Sequence, residues 1–233
     1  MRFKLIACEV LAREVYLCAA RSCHIIDVEL VEKGLHNTPE KLRVELQERV
    51  DVTPIHRYDA VLLGYGLCGN ALSGLAARDV QVVAPRAHDC ITLYLGSRQT
   101  YNQEFADNPG TYYYTADYIE RTSSDKEGLA MALGSAVSTD IQAVYEEYVK
   151  KYGQDNADYL MEVMGAWSEH YSRAAYIDQE ETRFLGCEQL AREEARRRNW
   201  TYKSIPGSLV LFQQLTSGAW PPGDFLIVPP ASA

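Results

Sequence analysis

Three cysteines stand at or near the ends of apolar runs that have the length of β-strands. Cys8 ends the run RFKLIAC, Cys68 lies in a glycine-rich loop after YDAVLLG, and Cys90 comes shortly after DVQVVAP. The carboxyl ends of parallel strands lie along one edge of an open sheet, where ligands bind, so we expect the three thiols to meet there. Thiolates are common ligands of zinc and of iron–sulfur clusters. The spacing therefore predicts a zinc or iron–sulfur site formed by Cys8, Cys68 and Cys90.

A histidine can complete this metal site. His36 follows the second predicted strand and would lie at the same edge of a parallel sheet, as would His88. Three thiolates and one imidazole form a common zinc shell, and we predict His36 as the fourth ligand. The alternative for each cysteine is a purely structural role, because cysteine is among the residues most often buried in protein cores.

The loop that carries Cys68 reads GYGLCG, residues 64–69, and matches the three-glycine pattern of dinucleotide-binding loops. That fingerprint follows the first strand and needs an acidic residue about 20 positions further on. Here the loop follows the third predicted strand, and the next strand leads into Arg86. We predict instead that the glycines let the backbone turn sharply and approach an ion or ligand. The predicted ligand-binding residues of this region are Gly64, Tyr65, Gly66, Gly69 and Arg86.

Two acids and a histidine beside the predicted metal ligands are the candidate catalytic residues. Glu9 follows Cys8 and can act as a general base or support a metal ligand, although it can equally favour a helix dipole. His88 and Asp89 precede Cys90, and Asp89 can instead cap a helix that begins there, which is worth about 1 kcal/mol. A helix start would also lower the pKa of the Cys90 thiol.

Strands and helices alternate along the chain, which predicts an α/β protein with a mostly parallel sheet covered by helices on both faces, a Rossmann-like three-layer arrangement. A helical insertion, 121–171, separates an α/β portion at 1–120, which carries the Cys/His site, from a second one at 172–233. The segment 70–78 is predicted as a short helix. The segment 107–120 is predicted as a loop whose tyrosines form either a lid or a packed connector.

Composition narrows the class of partner. The net charge of −9 argues against a nucleic-acid-binding face, and no apolar run approaches the roughly 20 residues that span a bilayer. The N-terminal stretch MRFKLIACEV fits a first strand better than a signal peptide. We therefore expect a cytoplasmic protein with reduced thiols, no membrane or nucleic-acid partner, and a small-molecule substrate.

Several stretches resemble the domain-of-unknown-function family 1638, among them ACEVLARE, LLGYGLCGNALSGL, VAPRAHDCITLYLGSRQTY and NPGTYYYTADY. The family pattern coincides with most of the candidate residues above and adds Tyr101 as a ligand-binding residue. The resemblance implies a companion of corrinoid-dependent methyltransferases in anaerobic one-carbon metabolism. A corrinoid, and a corrinoid protein or methyltransferase as partner, are therefore expected from the resemblance alone.

Three functions are consistent with these features. The first is a metalloprotein that acts in thiol- or corrinoid-linked methyl transfer, as a metal-dependent methyltransferase. The second is an accessory protein that binds a small anionic ligand or a corrinoid without catalysis. The third is a metal-free enzyme in which Cys90 is the nucleophile and His88 or Glu9 the base.

Overall fold

The computed structural model describes residues 1–35, 38–54, 56–68, 70–123, 131–132, 135–136, 154 and 171–230. The chain divides into two compact units, one formed by Met1–Glu104 with Pro206–Ala233 and the other by Phe105–Ile205. The segment at 172–233 therefore contributes strands to both units. The helical insertion predicted at 121–171 lies mostly outside the described residues, and those described within it include two short strands, Met131–Ala132 and Ser135–Ala136. No helix in the described part of the chain is long and apolar enough to cross a membrane.

The first unit is built on a five-stranded sheet, whose strands are Arg2–Cys8 (β1), Ile25–Val31 (β2), Ala60–Gly64 (β3), Val82–Pro85 (β4) and Phe225–Val228 (β10). Their order in the sheet is β10-β4-β3-β1-β2. Strand β1 pairs in parallel with both β2 and β3, and β4 pairs in parallel with β3. Strand β10 joins β4 in the antiparallel direction. The prediction of a mostly parallel α/β sheet is thus confirmed.

Helices cover both faces of this sheet. Neighbouring residues of a strand point to opposite faces. The Phe3 ring packs against Trp220, just after the last helix, whereas the Lys4 ammonium donates to the Arg49 carbonyl at 3.4 Å, in the second helix. These helices therefore lie on opposite sides. The helices of the unit are Ala12–Arg21 (α1), Pro39–Asp51 (α2), Cys90–Leu95 (α3), Arg98–Asp107 (α4, which continues into the second unit) and Val210–Ser217 (α7).

The strand order reverses direction between β1 and β3. From β1 the chain moves to β2 on one side of the sheet, and then crosses back to build β3 and β4 on the other side. In an open α/β sheet the crevice at such a switch point, outside the carboxyl ends of the strands, is the usual place for a ligand. Cys8 is the last residue of β1, and the glycine loop begins where β3 ends. The fold therefore places both at the switch point.

The predicted helix at 70–78 is wrong, because this segment forms turns. Asn70 and Gly74 have positive φ angles of 67° and 86°, which interrupt a right-handed helix. The backbone of Ala76 instead bonds to the Gln47 side chain in α2, with its N–H donating at 2.8 Å and its carbonyl accepting at 3.1 Å. A long-range amide contact thus satisfies groups that a helix would have paired locally.

The elements of the second unit are Thr111–Tyr114 (β5), Ala116–Ser123 (α5), Met131–Ala132 (β6), Ser135–Ala136 (β7), Arg173–Asp178 (β8), Glu188–Arg197 (α6) and Thr201–Pro206 (β9). It holds a three-stranded sheet with the order β5-β8-β9, in which β5 and β8 are parallel. The prediction of a loop throughout 107–120 is wrong, because this segment contains β5 and the start of α5. Tyr112 and Tyr114 are buried in the core of this unit beside Tyr176, so the packed alternative describes them and the lid does not.

The stability of the first unit is expected to depend on the middle of β3. Leu62 is fully buried there, so Leu62→Ala should lower the free energy of unfolding by about 2–5 kcal/mol, through lost burial and the cavity left behind. Val44 on α2 is 57% exposed, and Val44→Ala should change the free energy of unfolding by less than about 0.5 kcal/mol. Urea unfolding measures both, and equal effects would contradict the assignment of Leu62 to the core.

Candidate functional site

Backbone hydrogen bonds bring the loop after β3 against the segment that leads into α3. Ala7 of β1 pairs in register with Gly64, the last residue of β3. Beyond it, the Leu67 N–H donates to the Ala87 carbonyl at 2.8 Å, and the Cys68 N–H donates to the His88 carbonyl at 3.2 Å. These contacts hold Cys68 beside residues 87 and 88, which precede Cys90 in the chain. Three segments that are distant in the sequence therefore meet at the switch point.

Two glycines make this approach possible. A Cβ atom on Gly64 would lie 2.6 Å from the Ala7 Cβ, and one on Gly66 would lie 2.5 Å from the Asp89 Cα. Neither distance is compatible with a side chain, and backbone atoms at Asp89 cannot rotate away. The glycines therefore bring the protein's own chain segments together. Gly69, which was also predicted to bind a ligand, lies outside the described residues.

The three thiols interact electrostatically with one another. Burial raises the pKa of Cys68 to about 12, with further increases from the Cys8 thiolate and the Asp89 carboxylate. Burial also raises the pKa of Cys90 well above its usual value, followed by the charges of Asp89, Cys68 and Cys8. The predicted lowering of the Cys90 pKa is therefore wrong, because burial and neighbouring negative charge outweigh the helix start. Each of the three cysteines lies at or shortly after the carboxyl end of a strand, as the strand pattern predicted, and their joint role as metal ligands stays a prediction.

Tyr65 adds a buried hydroxyl to this group. The residue is 3% exposed, and its hydroxyl has no oxygen or nitrogen partner among the described residues. Burial, together with the Cys8 and Cys68 thiolates, raises its pKa. A buried hydroxyl without a strong partner costs about 1–3 kcal/mol, and a thiol is only a weak hydrogen-bonding group. Tyr65 is thus a polar group beside the thiols with hydrogen-bonding capacity to spare.

His88, Asp89 and Tyr101 form a hydrogen-bonded cluster. One Asp89 oxygen accepts from the Thr92 N–H at 3.2 Å and caps α3, while the other accepts from the Tyr101 hydroxyl at 2.9 Å. The His88 Nδ1 lies 3.2 Å from that second oxygen and 3.1 Å from the Tyr101 hydroxyl, and the His88 and Tyr101 rings stack. Asp89 therefore caps the helix and orients His88 at the same time. The His88 side chain is 71% exposed, which leaves its ring accessible from solvent.

The remaining predicted residues occupy other positions. The Glu9 carboxylate accepts from the Lys33 N–H at 2.8 Å and so ties the end of β1 to the segment after β2. Arg86 follows β4 and binds backbone carbonyls through its Nε. His36, the predicted fourth metal ligand, lies outside the described residues. Within the described ranges, no three or more Cys, His, Asp or Glu side chains are already arranged to hold a metal ion.

A cleft of about 820 Å³ lies at the same end of the sheet and includes residues that sequence reasoning missed. Arg86, His88 and Tyr101 line it, together with Arg98 and Asn102 from the first turns of α4. Arg98 and Asn102 carry no motif. The sequence signal that could have found them is Gly96, which marks the end of one helix and the start of another. Gly96 has a left-handed conformation that ends α3, and the chain then turns into α4.

The fold and this site define a doubly wound α/β protein whose switch point carries a group of thiols. Residues 30–216 match the family described as protein of unknown function DUF1638, and the chain belongs to that family. Cys68 and Cys90 lie within the matched region, whereas Cys8 precedes it. The resemblance drawn from the motifs is therefore confirmed as a family assignment. A search of the curated proteins found no match.

Replacement of Gly66 should disrupt the docking of the loop. Gly66→Ala is expected to lower the free energy of unfolding by about 1–3 kcal/mol, because the new methyl group would overlap the Asp89 backbone. Gly223 has open space around its Cα, so Gly223→Ala provides the matched control. Thermal unfolding measures both variants. A Gly66→Ala protein as stable as Gly223→Ala would rule out the close contact.

The raised thiol pKa values predict an order of chemical reactivity. In metal-free protein at pH 7, iodoacetamide should modify the exposed Cys23 faster than Cys68 or Cys90, because only the thiolate reacts. Modification of Cys68 should accelerate as the pH rises, since its pKa of about 12 lies far above neutrality. Peptide mass spectrometry follows each site, with denatured protein as the reference. Equal rates for Cys23 and Cys68 in the folded protein would contradict the electrostatic description.

Proposed function

We propose that the protein is a thiolate metalloprotein that binds zinc, or alternatively an iron–sulfur cluster, through Cys8, Cys68 and Cys90. The observation that carries the proposal is the position of these cysteines at or after the ends of three strands near the switch point. There the charge of Cys8 raises the pKa of Cys68 and of Cys90, and the charge of Cys68 raises the pKa of Cys90. Several thiolates close together in a buried site repel one another, and a bound cation removes that repulsion. The donor set therefore fits a metal that prefers sulfur.

Metal binding requires local rearrangement of the thiols. The described cysteines are not already arranged as ligands, so binding would draw their side chains together and release the protons that the raised pKa values favour. The Tyr65 hydroxyl, which already interacts with the Cys8 thiol, can then donate a stronger hydrogen bond to a ligating thiolate. His36 is the proposed fourth ligand.

The proposed reaction class is methyl transfer to or from a thiol or a corrinoid, as the family resemblance implies. When bound, zinc with an open coordination position would lower the pKa of a substrate thiol and so make it a methyl acceptor. The role of the chain's own residues is to hold and move a proton. His88, oriented by Asp89 and Tyr101, is the proposed group that accepts a proton from the substrate.

A metal-free cysteine enzyme is less well supported. Such an enzyme needs a nucleophilic thiolate near neutral pH, usually from a lowered pKa. Burial and nearby negative charge instead raise the pKa of both Cys68 and Cys90. A cation at the site would reverse this effect, so the same electrostatics that oppose metal-free catalysis favour metal binding.

Metal content provides the test. Protein purified without oxygen should contain about one metal site per chain, and Cys8→Ser, Cys68→Ser and Cys90→Ser should each weaken binding by at least about tenfold. Cys18→Ser and Cys187→Ser, which change buried cysteines elsewhere, should retain the metal. Element analysis identifies the ion, and a visible absorption spectrum separates zinc from an iron–sulfur cluster. Unchanged metal content in all three site variants would remove the proposal.

A further inference from the structure

The cleft beside the thiols has a charge opposite to that of the whole protein. The chain carries 32 acidic residues and a net charge of −9, yet no carboxylate is among the described residues that line the cleft. Its charged lining residues are Arg86 and Arg98, with His88 beside them. In an acidic protein, such a cleft concentrates anions against the overall field.

Arg86 is held in place by contacts that leave its hydrogen-bonding end available. Its Nε donates to the carbonyls of Pro222 at 3.0 Å and Phe225 at 3.1 Å, and its own N–H donates to the Asp224 carbonyl at 2.6 Å. Its two terminal nitrogens make no hydrogen bond or ion pair with the described residues. A guanidinium fixed in this way loses little side-chain entropy when it binds a carboxylate or phosphate with both nitrogens.

Arg98 supplies a second cation from another element. It is exposed at the first position of α4, and no described residue forms an ion pair with it. The positive end of the helix dipole lies at the same place, which adds to the attraction for an anion. Gln99 and Asn102 place two amide side chains on the cleft wall. Anion-binding groups thus come from two directions, one after β4 and one at the start of α4.

The rest of the wall is apolar. Leu67 and Leu226 line the cleft and are 41% and 44% exposed, and Leu72 lies with them. Exposed leucines beside unpaired arginines are typical of a pocket for a ligand that has a hydrocarbon part and a charged group. A bare inorganic ion would leave these leucines in water.

We infer that this cleft is a binding site for a small organic anion, a carboxylate or a phosphate ester. Arg86 and Arg98 hold the charged group, and Leu67 and Leu226 cover its carbon chain. The site goes beyond the proposed metal function, because none of its contacts depends on the cysteines or on a metal.

Titration calorimetry on metal-free protein tests this inference. Hexanoate or hexyl phosphate should bind with saturation and with an affinity that falls as salt rises, whereas acetate, inorganic phosphate and hexanol should bind at least about tenfold more weakly. The preferred head group distinguishes a carboxylate site from a phosphate site. Absence of saturable binding by both hexyl anions would overturn the inference.

Matched variants assign the binding to the cleft. Arg86→Gln and Arg98→Gln should each weaken binding by about tenfold or more, through loss of a charge-assisted contact. Arg196→Gln removes the same charge from an exposed position on α6 and should bind as the wild type does. The Arg86 side chain also binds backbone carbonyls, so circular dichroism is used to check that Arg86→Gln still folds. If Arg86→Gln does not fold, Arg98→Gln decides the result. Unchanged binding by Arg98→Gln would refute the site.

The two proposals can fail separately. Cys68→Ser should lose the metal but retain binding of the organic anion, and Arg98→Gln should show the opposite pattern. Loss of anion binding in Cys68→Ser, with the fold intact, would overturn the independence of the cleft.

Discussion

The contact between the glycine loop and the segment before α3 is the constraint on which the site depends. Gly66 approaches the Asp89 backbone so closely that no side chain fits between them. This contact, together with the two hydrogen bonds from residues 67 and 68, sets the position of Cys68 relative to Cys90. It also fixes Asp89, which caps α3 and orients His88. A single close backbone approach therefore positions both the thiols and the histidine cluster.

The electrostatics of the switch point follow from that geometry. Burial alone would favour neutral thiols, and each neighbouring thiolate or carboxylate strengthens the preference. The cleft next to it has the opposite character, with two arginines and no carboxylate among its described lining residues. The proposed metal site and the proposed anion site therefore lie at the same end of the sheet. A substrate with a soft atom near one end and a negative group at the other would match both.

Sequence patterns predicted the strands well because buried parallel strands are short, continuous apolar runs. They also predicted that Cys8, Cys68 and Cys90 would lie at or after the carboxyl ends of three strands of that sheet, whereas a metal site shared by these residues stays a prediction. The turns at 70–78 were not predictable in this way, because the Gln47 side chain that holds them lies 29 residues before its partner Ala76. Nor was the raised pKa of Cys90, which depends on burial and on charges from three separate segments. Arg98 was missed because its role comes from the cleft around it, and not from its neighbours in sequence.

The antiparallel strand β10 has a consequence for how the first unit assembles. It pairs with β4 and forms one edge of the sheet, and the backbone next to it binds the Arg86 side chain. In the sequence, however, the entire second unit lies between β4 and β10. During synthesis the edge of β4 cannot pair with β10 until more than a hundred further residues have left the ribosome. An open strand edge is a template for pairing with other chains, so the nascent chain is exposed to aggregation during this interval. The arginine that lines the cleft reaches its final position only when that edge has closed.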